Sequence, residues 1–174
     1  MKESFENALT GGHPNSLGNT VAVVETVLTD HARFEELFQC YFSEDEVVRL
    51  RVSNAMKRIC KTEKSLLIPY IDKFINQIAQ IDQASTQWTL ANLFDFLSKD
   101  LNDTQKVKAQ TIMQNNLVHH TDWIVLNNSM ETLSKWAKKD IVLKDWLIPH
   151  LERLKNDSRK SIAKRSQKWL DKLL

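Results

Sequence analysis

The sequence predicts an all-α fold: a right-handed superhelical stack of about four helical hairpins, with an extra helix at the N-terminus. Three observations point there. Leu67-Ile68-Pro69-Tyr70-Ile71-Asp72-Lys73-Phe74 returns, 80 residues later, as Leu147-Ile148-Pro149-His150-Leu151-Glu152-Arg153-Leu154, with three identities and five matches in chemistry or shape. That offset is two units of about 40 residues, a length typical of two-helix repeats that stack. The chain holds three Gly and three Pro, and all three Gly lie between Gly11 and Gly18. The rest is almost free of helix breakers. Apolar residues elsewhere recur at helical spacing, in units centred near 38, 74, 111 and 150.

The head, residues 1–14, reads as poorly ordered, because Gly11-Gly12-His13-Pro14 stops any helix before it. An N-terminal helix is expected over 15–29, with Val21, Val24, Val27 and Leu28 inward. Repeats then fill 30–174 in one domain. Phe34, Leu37, Phe38 and Tyr41 form the face of a helix ending near Phe42. Ser43 with Glu44-Asp45-Glu46 predicts a capping box, and a helix to about Cys60 burying Val48, Val52, Ala55, Met56 and Ile59. A helix from Ser65 or Pro69 to Gln80 follows, since Pro costs little in a first turn. Ser85 caps a helix carrying Trp88, Ala91, Leu93, Phe94 and Leu97. The next starts at Asp103 or Thr104, with Val107, Ile112, Met113, Leu117 and Val118. Thr121-Asp122 starts one with Trp123, Leu126, Met130, Leu133 and Trp136. Asp140 begins the helix of Trp146, Ile148, Leu151 and Leu154. Asn156 or Asp157 begins the last, with Ile162, Ser166, Trp169, Leu170 and Leu173.

These residues resemble HEAT repeats. The first-helix pattern of that family, a leucine-rich turn with Pro and then Leu-x-x-Leu, matches Leu67–Phe74 and Leu147–Leu154. Its turn, an Asp before a Val-Arg pair, is met loosely by Asp45 with Val48-Arg49, one or two residues short, and at the usual distance by Asp157 with Ile162, although Ala163 stands where a base belongs. The middle turns depart: Asp82 leads to Trp88, and Asp122 runs straight into Trp123. The resemblance spans about 30–174. It implies a scaffold that binds another protein, or in some members nucleic acid, through second helices lining a concave face.

A formal charge of +2 supplies no global field toward a polyanion. The charge is uneven, however. Between Glu25 and Glu46 seven acids face only Arg33, and from Arg153 to Lys172 eight bases face only Asp157 and Asp171. A head-to-tail contact between copies is one consequence to expect, in a monomer or weak homo-oligomer. Cys40 and Cys60 sit in apolar-periodic segments and read as buried free thiols. Neither a signal peptide nor a membrane-spanning run is expected, so a cytoplasmic protein is the default.

No Gly-rich phosphate loop, metal-ligand spacing or nucleophile motif stands out, so no cofactor, metal or catalytic residue is expected. Trp88–Asn92 and Trp123–Asn127 each place an indole and an amide on one helix face. With Arg49, Arg51, Asp95 and Glu131 they form the expected partner-binding surface of second helices, for an unidentified protein. A second reading is nucleic-acid binding through Lys160, Lys164, Arg165, Lys168 and Lys172, a basic ridge repeating every four residues. HEAT-like DNA glycosylases, which place an Asp beside their aromatics, extend that reading to base excision. Here Asn92 and Asn127 take that place, and an amide cannot stabilise a cationic sugar as a carboxylate does.

Overall fold

The computed structural model describes residues 3–174, and among them every regular element is helical: ten α-helices and five short 3-10 turns. No described helix is long and apolar enough to cross a membrane. The chain divides into two compact units, a first ending at Thr89 and a second starting at Leu90.

In the first unit the head is a folded element, against expectation. Helix α1 (Phe5–Leu9) is capped by Ser4 and buries Phe5 and Leu9. The Arg33 guanidinium lies 3.8 Å from the Phe5 ring centroid, and Glu36 accepts from the Phe5 N–H at 2.8 Å. Gly11 and Gly12, expected to break the chain, have positive φ, as does Gly18. Helix α2 (Thr20–Thr29) buries Thr20, Val23, Val24 and Val27, whereas Val21 is exposed. The inward stripe is rotated by one residue from the expected one. Thr20 can be buried because its hydroxyl donates to the Leu17 carbonyl.

Helix α3 (Phe34–Gln39) is flanked by 3-10 turns at 31–33 and 40–42. Its apolar spacing is as expected, with Phe34, Leu37, Phe38 and Tyr41 all buried. Phe38 packs edge-on against Tyr41 and Phe74, with ring centroids 5.8 and 5.4 Å apart. Helix α4 (Glu46–Thr62) is capped by Asp45, not by Ser43. The Ser43 hydroxyl instead donates to Glu6 and accepts from the Asp45 N–H.

Residues 64–80 form short 3-10 turns around a six-residue helix, α5 (Ile71–Asn76), rather than one continuous helix. Pro69 removes a donor, and no established helix precedes it to carry the backbone through. Its counterpart Pro149 lies inside an α-helix that has already run two turns. The two copies still bury matching positions: Leu67, Ile71 and Phe74 in one, and Leu147, Leu151 and Leu154 in the other. Burial pushes the Cys40 thiol up to about 12, as expected for a buried free cysteine.

Helix α6 (Ala84–Phe96) contains the division between the units. The second unit then holds α7 (Asp103–His119), α8 (Trp123–Ala137), α9 (Ile141–Leu154) and α10 (Lys160–Leu173). Asn102 and Gln105 make a capping box for α7, one residue earlier than expected. Asp122 and Asp140 cap α8 and α9 as expected. The buried stripe of α7 is Ala109, Met113, Asn116 and Leu117, so Val107 and Val118 fall off it and are exposed. Helix α8 packs against α7, α9 and α10, and ten of its fifteen residues are buried.

The Arg51 side chain, 2 % exposed, has no carboxylate partner. Its guanidinium donates to the carbonyls of Leu9, Gly11, His13, Thr10 and Ser16 at 2.6–3.3 Å. A buried cation is tolerated only when its donors are all engaged. A Cβ at Gly18 would stand 2.8 Å from the Arg51 Cζ, so that position is held by glycine on two counts. Arg51→Leu is expected to lower stability by about 2–4 kcal/mol in urea titration and to speed proteolysis within residues 10–16. An unchanged midpoint with an equally protected segment would contradict this account of the head.

Candidate basic face of α8 and α10

The site is built by two helices in parallel. Short turns at 138–140 and 155–159 reverse the chain twice, so α8 and α10 run the same way side by side. Their register is read from contacts one turn apart. The Asn127 amide donates to the Ser161 hydroxyl at 3.3 Å. Arg165 donates to Glu131 at 2.9 Å, and the Trp169 indole N–H donates to the same carboxylate oxygen at 2.8 Å. The ammonium of Lys138 lies 5.3 Å from the Trp169 ring centroid. Trp123, Asn127 and Glu131 thus lie on one i, i+4 stripe of α8, of which Asn127 and Glu131 bond to α10.

Lys160, Lys164, Lys168 and Lys172 are exposed along α10, while Ile162, Ser166, Trp169, Leu170 and Leu173 are buried beneath them. The ammoniums of Lys168 and Lys172 lie 5.5 and 5.1 Å from the centroid of the buried Trp169 ring. Three lysines therefore surround one indole, in contacts that favour cations. Ser161, Lys164, Arg165 and Lys168 line a shallow depression of about 420 Å3. Beside it the Asn127 carbonyl oxygen is buried and has no hydrogen-bond partner.

Electrostatics sharpen the face. Burial pushes the Glu131 carboxyl up, but the Trp169 hydrogen bond and the cations Arg165, Lys168 and Lys135 outweigh it and leave it below its ordinary range. At the head of α10, Arg159 hydrogen bonds hold Asp157 down to about 2. The same guanidinium donates to the Thr121 carbonyl at 2.6 Å and so ties the start of α10 to the start of α8. The second unit holds fifteen bases against ten acids, a net +5, and the first holds nine against twelve, a net −3.

Residues expected to act on two separate surfaces thus converge on one. Trp123, Asn127 and Glu131 stand with Lys160, Lys164, Arg165, Lys168 and Lys172. The expected partner-binding surface otherwise disperses. Arg51 is buried under the head, and Arg49 is engaged with Gln83 and the Ser43 carbonyl. Asp95 pairs with Lys135 at 2.6 Å, and Asn92 is half-buried. Trp88 belongs to the first unit, in a depression of about 230 Å3 beside Pro14 and Leu50. Trp123, expected on the partner-binding surface, is 51 % exposed. Ser161 and Lys138 escaped sequence reading, since the register of two non-adjacent helices leaves no local signature. No three His, Cys, Asp or Glu side chains among the described residues gather as a metal ion would need.

Glu131→Gln is expected to cost about 1–2 kcal/mol at about pH 7, because two donors lose a charged acceptor. A depressed folded pKa gives stability that is present above the unfolded value and lost as pH falls through the folded one. The gap between wild type and variant should therefore narrow as pH falls below the ordinary glutamate range, as followed by urea titration. A gap that widened in acid would contradict the assignment. No family model, no curated protein and no solved structure matches this chain.

Proposed function

We propose that this chain is a non-enzymatic helical binding module that holds the phosphate backbone of a nucleic acid on the face of α8 and α10. One observation carries the reading. Lys160, Lys164, Lys168 and Lys172 are all exposed on one helix, and among the described residues none forms an ion pair. Such unpaired cations at one-turn spacing suit a phosphate backbone.

A mixed-charge protein-binding face is the weaker reading. Arg49, Arg51, Asp95 and Glu131 now have partners within the chain. Binding rather than base excision is favoured because Asn127 carries an amide, is buried and is bonded to Ser161. A right-handed, HEAT-like stacking of the hairpins is part of the same reading. Its support is the matched burial at Leu67, Ile71 and Phe74 and at Leu147, Leu151 and Leu154.

The test is fluorescence anisotropy with a labelled oligonucleotide across a salt series. Lys164→Glu with Lys168→Glu should weaken binding by at least about tenfold and make the salt slope shallower by about one to two. Retention unchanged by the double variant, or absent at low salt, would end the reading. Displacement of the oligonucleotide by polyglutamate at equal charge would point to an acidic protein instead.

A further inference from the structure

The exposed indole of Trp123 is left without a role by the lysine ridge alone. It occupies the first position of α8, one turn before Asn127, on the stripe that meets α10. The earliest hydrogen bond between α8 and α10 along α8 is that of Asn127 with Ser161, one turn beyond Trp123, and the indole is half exposed. The remaining large exposed aromatic, Phe42, belongs to the first unit. The surroundings of Trp123 are fixed. Asp122 caps α8 by accepting from the Ile124 and Val125 N–H groups at 2.8 and 3.1 Å. Arg159, clamped by Asp157, donates to the Thr121 carbonyl. The indole therefore stands at a capped helix start, one turn before the level at which Asn127 bonds to the first turn of α10.

From the position of this indole we infer that the ligand is a single strand, with one base stacked on Trp123 and its phosphates tracking Lys160, Lys164, Lys168 and Lys172. The inference rests on the nucleic-acid reading above and specifies the strand state. The four ammonium stems recur about every 6 Å along α10, over about 18 Å. A charged track beside an aromatic platform is the arrangement that serves single strands, because every base has a π-face. In a duplex the bases are already stacked and paired. Trp123 would reach one only after it was extruded, at a cost of a few kcal/mol per base. A duplex would therefore use the lysines and leave the indole idle.

The asymmetry is testable on the full chain. A labelled thymidine strand of about twelve nucleotides and a blunt duplex of equal length are titrated at low salt by anisotropy. Trp123→Ala should weaken single-strand binding by about 5- to 100-fold, leave duplex binding unchanged, and keep the salt slope, since no charge is lost. Trp123→Phe should restore most of the single-strand affinity, and a strand of abasic sites should bind the wild type as weakly as thymidine binds Trp123→Ala. Equal loss for strand and duplex, no loss for either, or full affinity for the abasic strand would overturn the inference. Lys164→Glu with Lys168→Glu, measured alongside, separates the two claims. If it weakens neither ligand, the nucleic-acid reading itself fails. If it weakens both while Trp123→Ala weakens neither, only the strand assignment fails.

Discussion

The second unit depends on one carboxylate. Glu131 accepts from both Arg165 and the Trp169 indole, and these two contacts fix α8 against α10 in parallel register. Hydrogen bonds to a charged acceptor in a half-buried setting are stronger than neutral ones and more demanding in geometry. Once that register is set, the other contacts follow at one-turn intervals: Asn127 with Ser161 above, and Lys138 over Trp169 below. The apolar side chains of α10 face inward and its lysines face out. The basic face is thus the reverse side of a packing arrangement.

The first unit solves a different problem with a similar device. It has a short head that could bury only Phe5 and Leu9. A buried guanidinium compensates by gathering the carbonyls of a loop that has no regular structure of its own. Planar, forked donors make arginine suited to this, where a lysine would offer a point charge. The glycine pattern is then explained by where the loop must pass: Gly18 lies against the guanidinium itself. In both units a single charged group, held by several partners, sets the position of a segment that apolar burial alone would leave undetermined.

Much of the fold was legible in the sequence because the helical period survives interruption. Phe34, Leu37, Phe38 and Tyr41 point inward even though α3 passes into 3-10 turns, since 3-10 and α geometry differ little over one turn. The caps Asp122 and Asp140 were legible because a side-chain acceptor ahead of an apolar run has one common use. What failed, failed where tertiary context overrides the period. Thr20 replaced Val21 at a buried position because its hydroxyl found a local acceptor. Val107 and Val118 fell outside the buried stripe of α7, which runs through Ala109, Met113, Asn116 and Leu117. The site was half legible: the lysine spacing of α10 stood out, but its union with Trp123 and Glu131 depends on a register between helices separated by a third. Arg51 was misplaced for the opposite reason, since no pattern announces a cation held only by carbonyls.

The proposed role of the basic face is tested most directly by a binding map. In amide- and indole-resolved NMR of the full chain, a short single-stranded oligonucleotide would be titrated against the labelled protein. The account predicts shifts confined to the Trp123 indole, the start of α8 and the exposed side of α10 from Lys160 to Lys172. Shifts centred on Trp88 and Arg49 in the first unit, or none at saturating oligonucleotide and low salt, would contradict it.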